Sequence, residues 1–207
     1  MKKGGVKMCT NNSMCGCSNK NECTALGPFE AIDAACITTP AATGSIIPFS
    51  SGIVPVILTS LASGLNGTVS LVGFGTSIPG VTLTGTNIDL TTATGTEAFS
   101  VPRAGNITSI SASLSATVAV TLTGSATVRA QIYRAVAGSN VFSPTTAFVD
   151  LTPALSTIAV GTITSGTANV APVPVAAGDR LLMVFSVTTS VGVATITGNA
   201  SAGINIV

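Results

Sequence analysis

The chain contains no histidine and no tryptophan. Without histidine, the Ser-His-Asp triad, the Cys-His dyad, every His-ligated metal site and the commonest general base are excluded. Ordinary hydrolytic chemistry falls with them, and no cofactor is expected. Charge is scarce too: eight basic and seven acidic side chains in 207 residues, a net +1. No basic stripe exists to neutralise a phosphate backbone or an anionic bilayer, so nucleic acid is not an expected partner. The mean hydropathy of +0.66 would suit a membrane protein, yet no stretch approaches the ~20 consecutive apolar residues of a spanning helix. Leu181–Phe185 is among the longest strictly apolar runs. One Tyr and seven Phe supply little for the aromatic girdles of a transmembrane barrel, so no membrane partner is expected either. Met1-Lys2-Lys3 imitates the charged start of a secretory signal, but Gly4 to Asn12 contains no apolar core to follow it. Export by the general secretory route is not expected.

The chain changes character near residue 44. Residues 1–43 hold all five cysteines and all four lysines, amid many Asn, Ser and Gly. From Gly44 onward there are no Cys and no Lys, and the only charges are Arg103, Arg129, Arg134, Arg180, Asp89, Glu97, Asp150 and Asp179. This division predicts a Cys-rich flexible N-terminal arm, residues 1–43, ahead of a domain, residues 44–207. The first half of the arm, to about Cys23, is too polar to bury a core of its own. The second half carries Leu26, Phe29 and Ile32 at helical spacing, but Pro28 and Pro40 confine any helix to two or three turns. These three are candidates for a short docking segment.

Past Gly44 the pattern is all-β. From Ile110 to Leu122 every even position is apolar (Ile110, Ala112, Leu114, Ala116, Val118, Val120, Leu122), with Ser, Thr or Ala between. This period-two run outlasts the usual strand of about 5–6 residues, predicting one long strand or a bulged one. Val128, Ala130 and Ile132 alternate with Arg129, Gln131 and Tyr133 as a second strand, with Gly124-Ser125 as the expected turn. Further strands are expected at 54–58, 69–74, 88–90, 98–101, 148–151, 158–163, 170–175, 180–188, 193–197 and 204–207. Short strands punctuated by Gly and Pro read as a sandwich or barrel.

A domain of this size ordinarily carries about a quarter charged residues; this one has eight, summing to zero. Its surface is therefore built from Thr, Ser, Asn, Gly and small apolar groups, with little electrostatic resistance to self-association. Packing of copies against one another, without desolvating ions, is the expected result; the alternative is a monomer kept soluble by hydroxyls.

The cysteines stand at Cys9, Cys15, Cys17, Cys23 and Cys36. The C-x2-C or C-x4-C knuckle of structural zinc sites is absent, although Cys15-Gly16-Cys17 could chelate a soft metal. Because five is odd, at least one thiol cannot pair within the chain under oxidising conditions. All five are candidates for intermolecular disulfides, with reduced thiols in a cytosolic protein as the alternative. Gly73-Phe74-Gly75 superficially matches a phosphate-binding turn, but Ile78 stands where the third glycine belongs, so a strand end is expected. The four domain carboxylates have no sequence-adjacent acid, and surface pairing with the four arginines is expected.

Several motifs occur in an order that resembles one family: Ile46-Ile47-Pro48-Phe49-Ser50-Ser51-Gly52, Val72-Gly73-Phe74-Gly75, Ile88-Asp89-Leu90, Phe99-Ser100-Val101-Pro102-Arg103, Ile107-Thr108-Ser109-Ile110, and Arg180-Leu181-Leu182-Met183-Val184-Phe185-Ser186. Residues 44–207 resemble the carboxy-terminal domain of BclB-like exosporium proteins of spore-forming Bacillus and relatives. The resemblance implies a jelly-roll sandwich of the tumour-necrosis-factor and complement-like type, trimeric, without catalytic activity, on the spore surface. It also implies synthesis in the mother-cell cytoplasm without a signal peptide. Family members typically carry a collagen-like Gly-X-Y stalk, which residues 1–43 lack; the cysteine-rich arm in its place is similar to that of thin (F-type) endospore appendage subunits. A homotrimer extended head to tail into a fibre follows, with other exosporium or appendage proteins as further partners. A trimeric adhesion or receptor-binding head that does not polymerise is the alternative.

Overall fold

A computed structural model describes residues 44–61, 66–91 and 95–207. The chain divides into two units, Met1–Ala41 and Ala42–Val207, and all the described residues lie in the second. Cys9, Cys15, Cys17, Cys23, Cys36, Leu26, Phe29 and Ile32 fall outside them.

The described residues form thirteen strands and no helix. In chain order these are β1 (Ser45–Ser50), β2 (Val56–Thr59), β3 (Thr68–Val72), β4 (Ser77–Thr82), β5 (Ile88–Asp89), β6 (Phe99–Ser100), β7 (Gly105–Ala116), β8 (Val120–Ala135), β9 (Val141–Asp150), β10 (Leu155–Ile158), β11 (Ile163–Val175), β12 (Arg180–Thr189) and β13 (Thr195–Ile206). The front sheet runs β1-β13-β7-β11, with β2 also on β13; the back sheet runs β4-β3-β12-β8-β9-β5, with β10 on β8 and β6 on β12.

Eight strands carry the architecture: β1, β3, β7, β8, β9, β11, β12 and β13. The first of them pairs with the eighth, the second with the seventh, the third with the sixth and the fourth with the fifth, all antiparallel. That nesting is a long hairpin rolled into two facing sheets, the jelly roll, so the fold is an all-β jelly-roll sandwich.

Between the sheets lies the principal core. From the front come Phe49, Val56, Leu58, Ile107, Ile110, Leu114, Ile196 and Ile204; from the back come Val128, Ala130, Ile132, Leu181, Met183, Phe185 and Val187. The inward positions of β7 are the even ones that the alternation marks, with a bulge at Thr108 that turns both Ile107 and Ile110 inward. Burying each such aliphatic side chain stabilises the fold by roughly 1.5–3 kcal/mol.

A second core lies on the outer face of the back sheet. There Ile78, Val81, Leu83, Ile88, Leu90 and Ala98 pack with Val69, Leu71, Tyr133, Leu182 and Val184. Strand β12 is therefore buried on both faces, which explains why Leu181–Val187 is continuously buried instead of alternating.

Three expectations are corrected. The long period-two run is neither one strand nor a bulged one: β7 ends at Ala116 and β8 begins at Val120, so the turn falls on Thr117-Val118-Ala119. Gly124 and Ser125, expected as that turn, lie inside β8, where Ser125 bonds to Ser190 of the β12 end. A strand over 158–163 is interrupted by a turn, Gly161 having a φ of 86° between the end of β10 and the start of β11.

Candidate self-association face

Sheet twist and alternation give the front sheet one face toward the core and one toward solvent. The solvent face is assembled in register from four strands. One row reads Ser50, Ser201, Ser113, Ser165; the next Pro48, Gly203, Ser111, Thr167; the next Ile46, Asn205, Ser109, Asn169. Neighbouring hydroxyls bond along the rows, Ser113 Oγ to Ser201 Oγ at 2.9 Å and Ser111 Oγ to Thr167 Oγ1 at 2.8 Å. A shallow open trough of about 440 Å³ runs over Ser111, Ser113, Ser165, Thr167, Ser201 and Gly203. Ile46, 76% exposed, stands at its margin.

None of the five front-sheet strands contains an Asp, Glu, Lys or Arg. The domain's charges all lie in the back sheet or in loops. Arg129 and Asp150 form a bidentate pair across β8 and β9 at 2.6 and 2.9 Å, with the guanidinium 4.2 Å from the Phe148 ring centre. Arg134 Nε lies 2.7 Å from the buried Asp179 Oδ2, off the N–H axis, so the contact is an ion pair and not a linear hydrogen bond. Arg134 Nη1 donates to Pro174 O, and Asp179 Oδ2 accepts from the Ala176 amide. Arg180 reaches Asn140 and Thr96 and lies near the Phe142 ring. Pairing of carboxylates with arginines, expected for all four, is found for Asp150 and Asp179. Asp89 instead accepts from the Thr91 amide and hydroxyl, which hold its carboxyl below the usual range, and Glu97 accepts from Thr76. No two of these carboxylates share a partner, and among the described residues no group of three or more acids or cysteines is placed to hold a metal.

The contrast between two glycines identifies the front face as special. Gly166 of β11 points inward, where a Cβ would stand 2.8 Å from Val149 Cγ2 and 3.0 Å from Asp150 O, so packing of the fold requires it. Gly203 of β13 points outward; a Cβ there would find nothing nearer than Ile47 O at 3.8 Å. Nothing within the domain demands glycine at 203, although a mid-strand glycine weakens a strand and often marks close approach of another backbone. The serines of this face were legible in the period-two pattern of 110–116, whereas Gly203 and the β13 positions carried no such signal.

No family model matches the chain. Among curated proteins it is similar to Collagen-like protein 1 of Acanthamoeba polyphaga mimivirus, 38% identical over 151 residues. That match covers 68% of this chain and 16% of the relative, so the chain spans about a sixth of the relative's length. A match this long falls mainly within residues 44–207, since only 43 residues precede them. Among solved structures, that of Eiger TNF from S. frugiperda is similar at 11% identity and a TM-score of 0.36, over 80% of this chain and 94% of that one. The jelly-roll assignment rests on this chain's own strand order.

Proposed function

We propose that the chain is a non-enzymatic structural subunit: its heads associate as trimers through the front-sheet face, and residues 1–43 link trimers into a fibre on a spore surface. The observation that carries this reading is the ion-free front face with its outward Gly203. Among the described residues, Leu83, Ile88 and Leu90 pack on the outer face of the back sheet, whereas the outer face of the front sheet carries no such cluster. Burying a face of hydroxyls and small apolar groups desolvates no charge.

Support for three copies comes from the similarity to a collagen-like mimivirus protein, since a collagen-like stalk winds three chains together. In this reading the linking role falls to residues 1–43. Cys9, Cys15, Cys17, Cys23 and Cys36 are the candidates for disulfides between chains, and Leu26, Phe29 and Ile32 for docking. The spore-surface location, with exosporium or appendage proteins as further partners, rests on the BclB-like motifs. A contact that joins head to tail without closing makes a filament, and covalent cross-links fix it.

Electron microscopy and sedimentation of the full-length chain test the proposal. Fibres are expected, together with a ladder on non-reducing gels that collapses with reductant and disappears when the five cysteines become serine. Discrete trimers that never polymerise would replace the subunit reading with a non-polymerising adhesion head. A monomer would overturn both.

A further inference from the structure

Three stretches far apart in sequence meet at the seam where β1, the edge strand of the front sheet, adjoins the back sheet. Phe49 comes from β1, Phe74 from the turn between β3 and β4, and Phe99 from β6. The Phe49 and Phe74 rings stack with centroids 5.4 Å apart and planes inclined at 26°, and Phe99 meets Phe74 edge-on at 6.2 Å. Phe49 is buried, whereas Phe74 is 57% exposed. Contact with Phe49 takes up one face of the Phe74 ring, so the exposure lies on the opposite face. The backbone braces this ring. Ser50 N donates to Gly73 O at 2.7 Å and Gly75 N to Ser50 O at 2.8 Å, a parallel bridge between residues 50 and 74 that ties the end of β1 to the end of β3. Gly73 N donates to Thr76 O at 2.9 Å and closes the turn. A Cβ on Gly52 would collide with Gly75 O, and one on Gly73 with the Glu97 carboxylate, so both close approaches require glycine. A Phe left more than half exposed forgoes part of the roughly 1.5–3 kcal/mol that its burial would supply.

Beside this ring stands Glu97. Its Oε1 accepts from the Thr76 hydroxyl at 2.7 Å, its Oε2 lies against Gly73, and among the described residues no arginine pairs with it. We propose that Phe74 and Glu97 form a binding site for a neutral pyranose ring of a glycan, a role separate from the fibre reading. The two groups match the two sides of such a ring. Its axial C–H groups carry partial positive charge and pack on the negative π face of Phe74. Its vicinal hydroxyls donate to the Glu97 carboxylate in charge-assisted bonds, which are stronger than neutral ones. A small convergent polar set beside an apolar wall is the usual composition of a small-molecule site. Quaternary cations, the other ligands that combine π faces with a carboxylate, are held within a cage of several ring faces. Here Phe49 covers one face of Phe74 and Phe99 offers only its edge relationship, so a single open face remains, which suits a flat ligand.

The test titrates the full-length chain with two neutral tetrasaccharides, cellotetraose and its N-acetylated counterpart chitotetraose, and follows saturation transfer from protein to sugar by NMR. At least one of them is expected to bind, with transfer strongest on the C–H protons of one sugar face. Phe74→Ala should weaken binding by about tenfold or more, and Glu97→Gln by about threefold or more. Phe74→Trp, which keeps an aromatic face, should match or exceed the wild type. The thermal midpoint and sedimentation of each variant are expected to stay as in the wild type. Undiminished binding by Phe74→Ala would overturn the proposal, as would binding of neither tetrasaccharide, or binding of choline in their place. Where Phe74→Ala lowers the midpoint, Glu97→Gln decides, and an unchanged affinity there overturns the site. Loss of the small oligomer in Phe74→Ala would place that ring between copies, overturning the sugar site while leaving the fibre reading intact.

Discussion

Ser113 of β7 and Ser201 of β13 stand directly opposite one another with their hydroxyl oxygens 2.9 Å apart, at the middle of the uncharged front face. Their outward position separates association from folding. Replacing Ser113 with Glu would place a carboxylate on the proposed packing face, while its backbone ladder stays intact. Association is expected to weaken by at least a hundredfold, since breaking into such a contact leaves an unpaired buried charge, about 3–5 kcal/mol. Sedimentation checks it, with the thermal midpoint of the separated head essentially unchanged.

Gly203 offers the reverse substitution. Gly203→Val adds a β-branched side chain into open space, 3.8 Å from its nearest neighbour atom, and should stabilise the isolated head by up to about 1 kcal/mol while disrupting self-association. A variant that associates normally would show that no second backbone approaches there.

Association of the heads is expected to be nearly indifferent to salt and to pH between about 5.5 and 9. Residues 44–207 hold no His, Cys or Lys, so no side chain of the head has an ordinary pKa in that window, and the front strands carry no charge to screen. A tenfold change in dissociation constant between low and high salt would place ion pairs in the contact.

At high pH the folding of the head does respond. Burial pushes the Tyr133 phenol above its usual value, with the nearby Arg129 guanidinium partly offsetting this. The folded state then holds a proton that the unfolded chain releases, so stability is full below about pH 10 and falls as pH rises from there through the raised value. Tyr133→Phe removes this dependence, measurable as a flatter alkaline limb in denaturant titrations.

Asp179 is 2% exposed and Arg134 is its counter-ion. Asp179→Ala should cost about 2–3 kcal/mol, less than a fully buried pair because the Arg134 side chain is 31% exposed. The loss includes the carboxylate bond to the Ala176 amide, which shapes the turn before β12. Urea denaturation measures it.

Much of the fold was legible because one-sided burial leaves a period of two. The even positions of β7 and the alternation of β8 marked their inward faces. Where a strand is buried on both sides the signal changes: Leu181–Phe185 reads as a bare apolar run, and Leu83, Ile88 and Leu90 gave no sign that they pack against that strand. Turn positions were the weaker part. Gly124-Ser125 satisfied every local rule for a turn, yet cross-strand bonding to Ser190 holds it in β8, while Thr117-Val118-Ala119 turns the chain with no glycine at all. The proposed association face was half legible: scarcity of charge pointed to it, but only register reveals that the remaining charge lies off the front strands.

The pairing of β1 with β13 has a mechanical corollary. Ser45 to Ser50 lie against Ile206 to Ser201 in six consecutive antiparallel partners, and the ladder bonds stand perpendicular to the strands. Tension transmitted through the polypeptide at Gly44, directed along β1 and away from the head, shears this ladder lengthwise. The rungs then share the load together and do not open one after another, so the place where the chain joins its head resists being peeled apart.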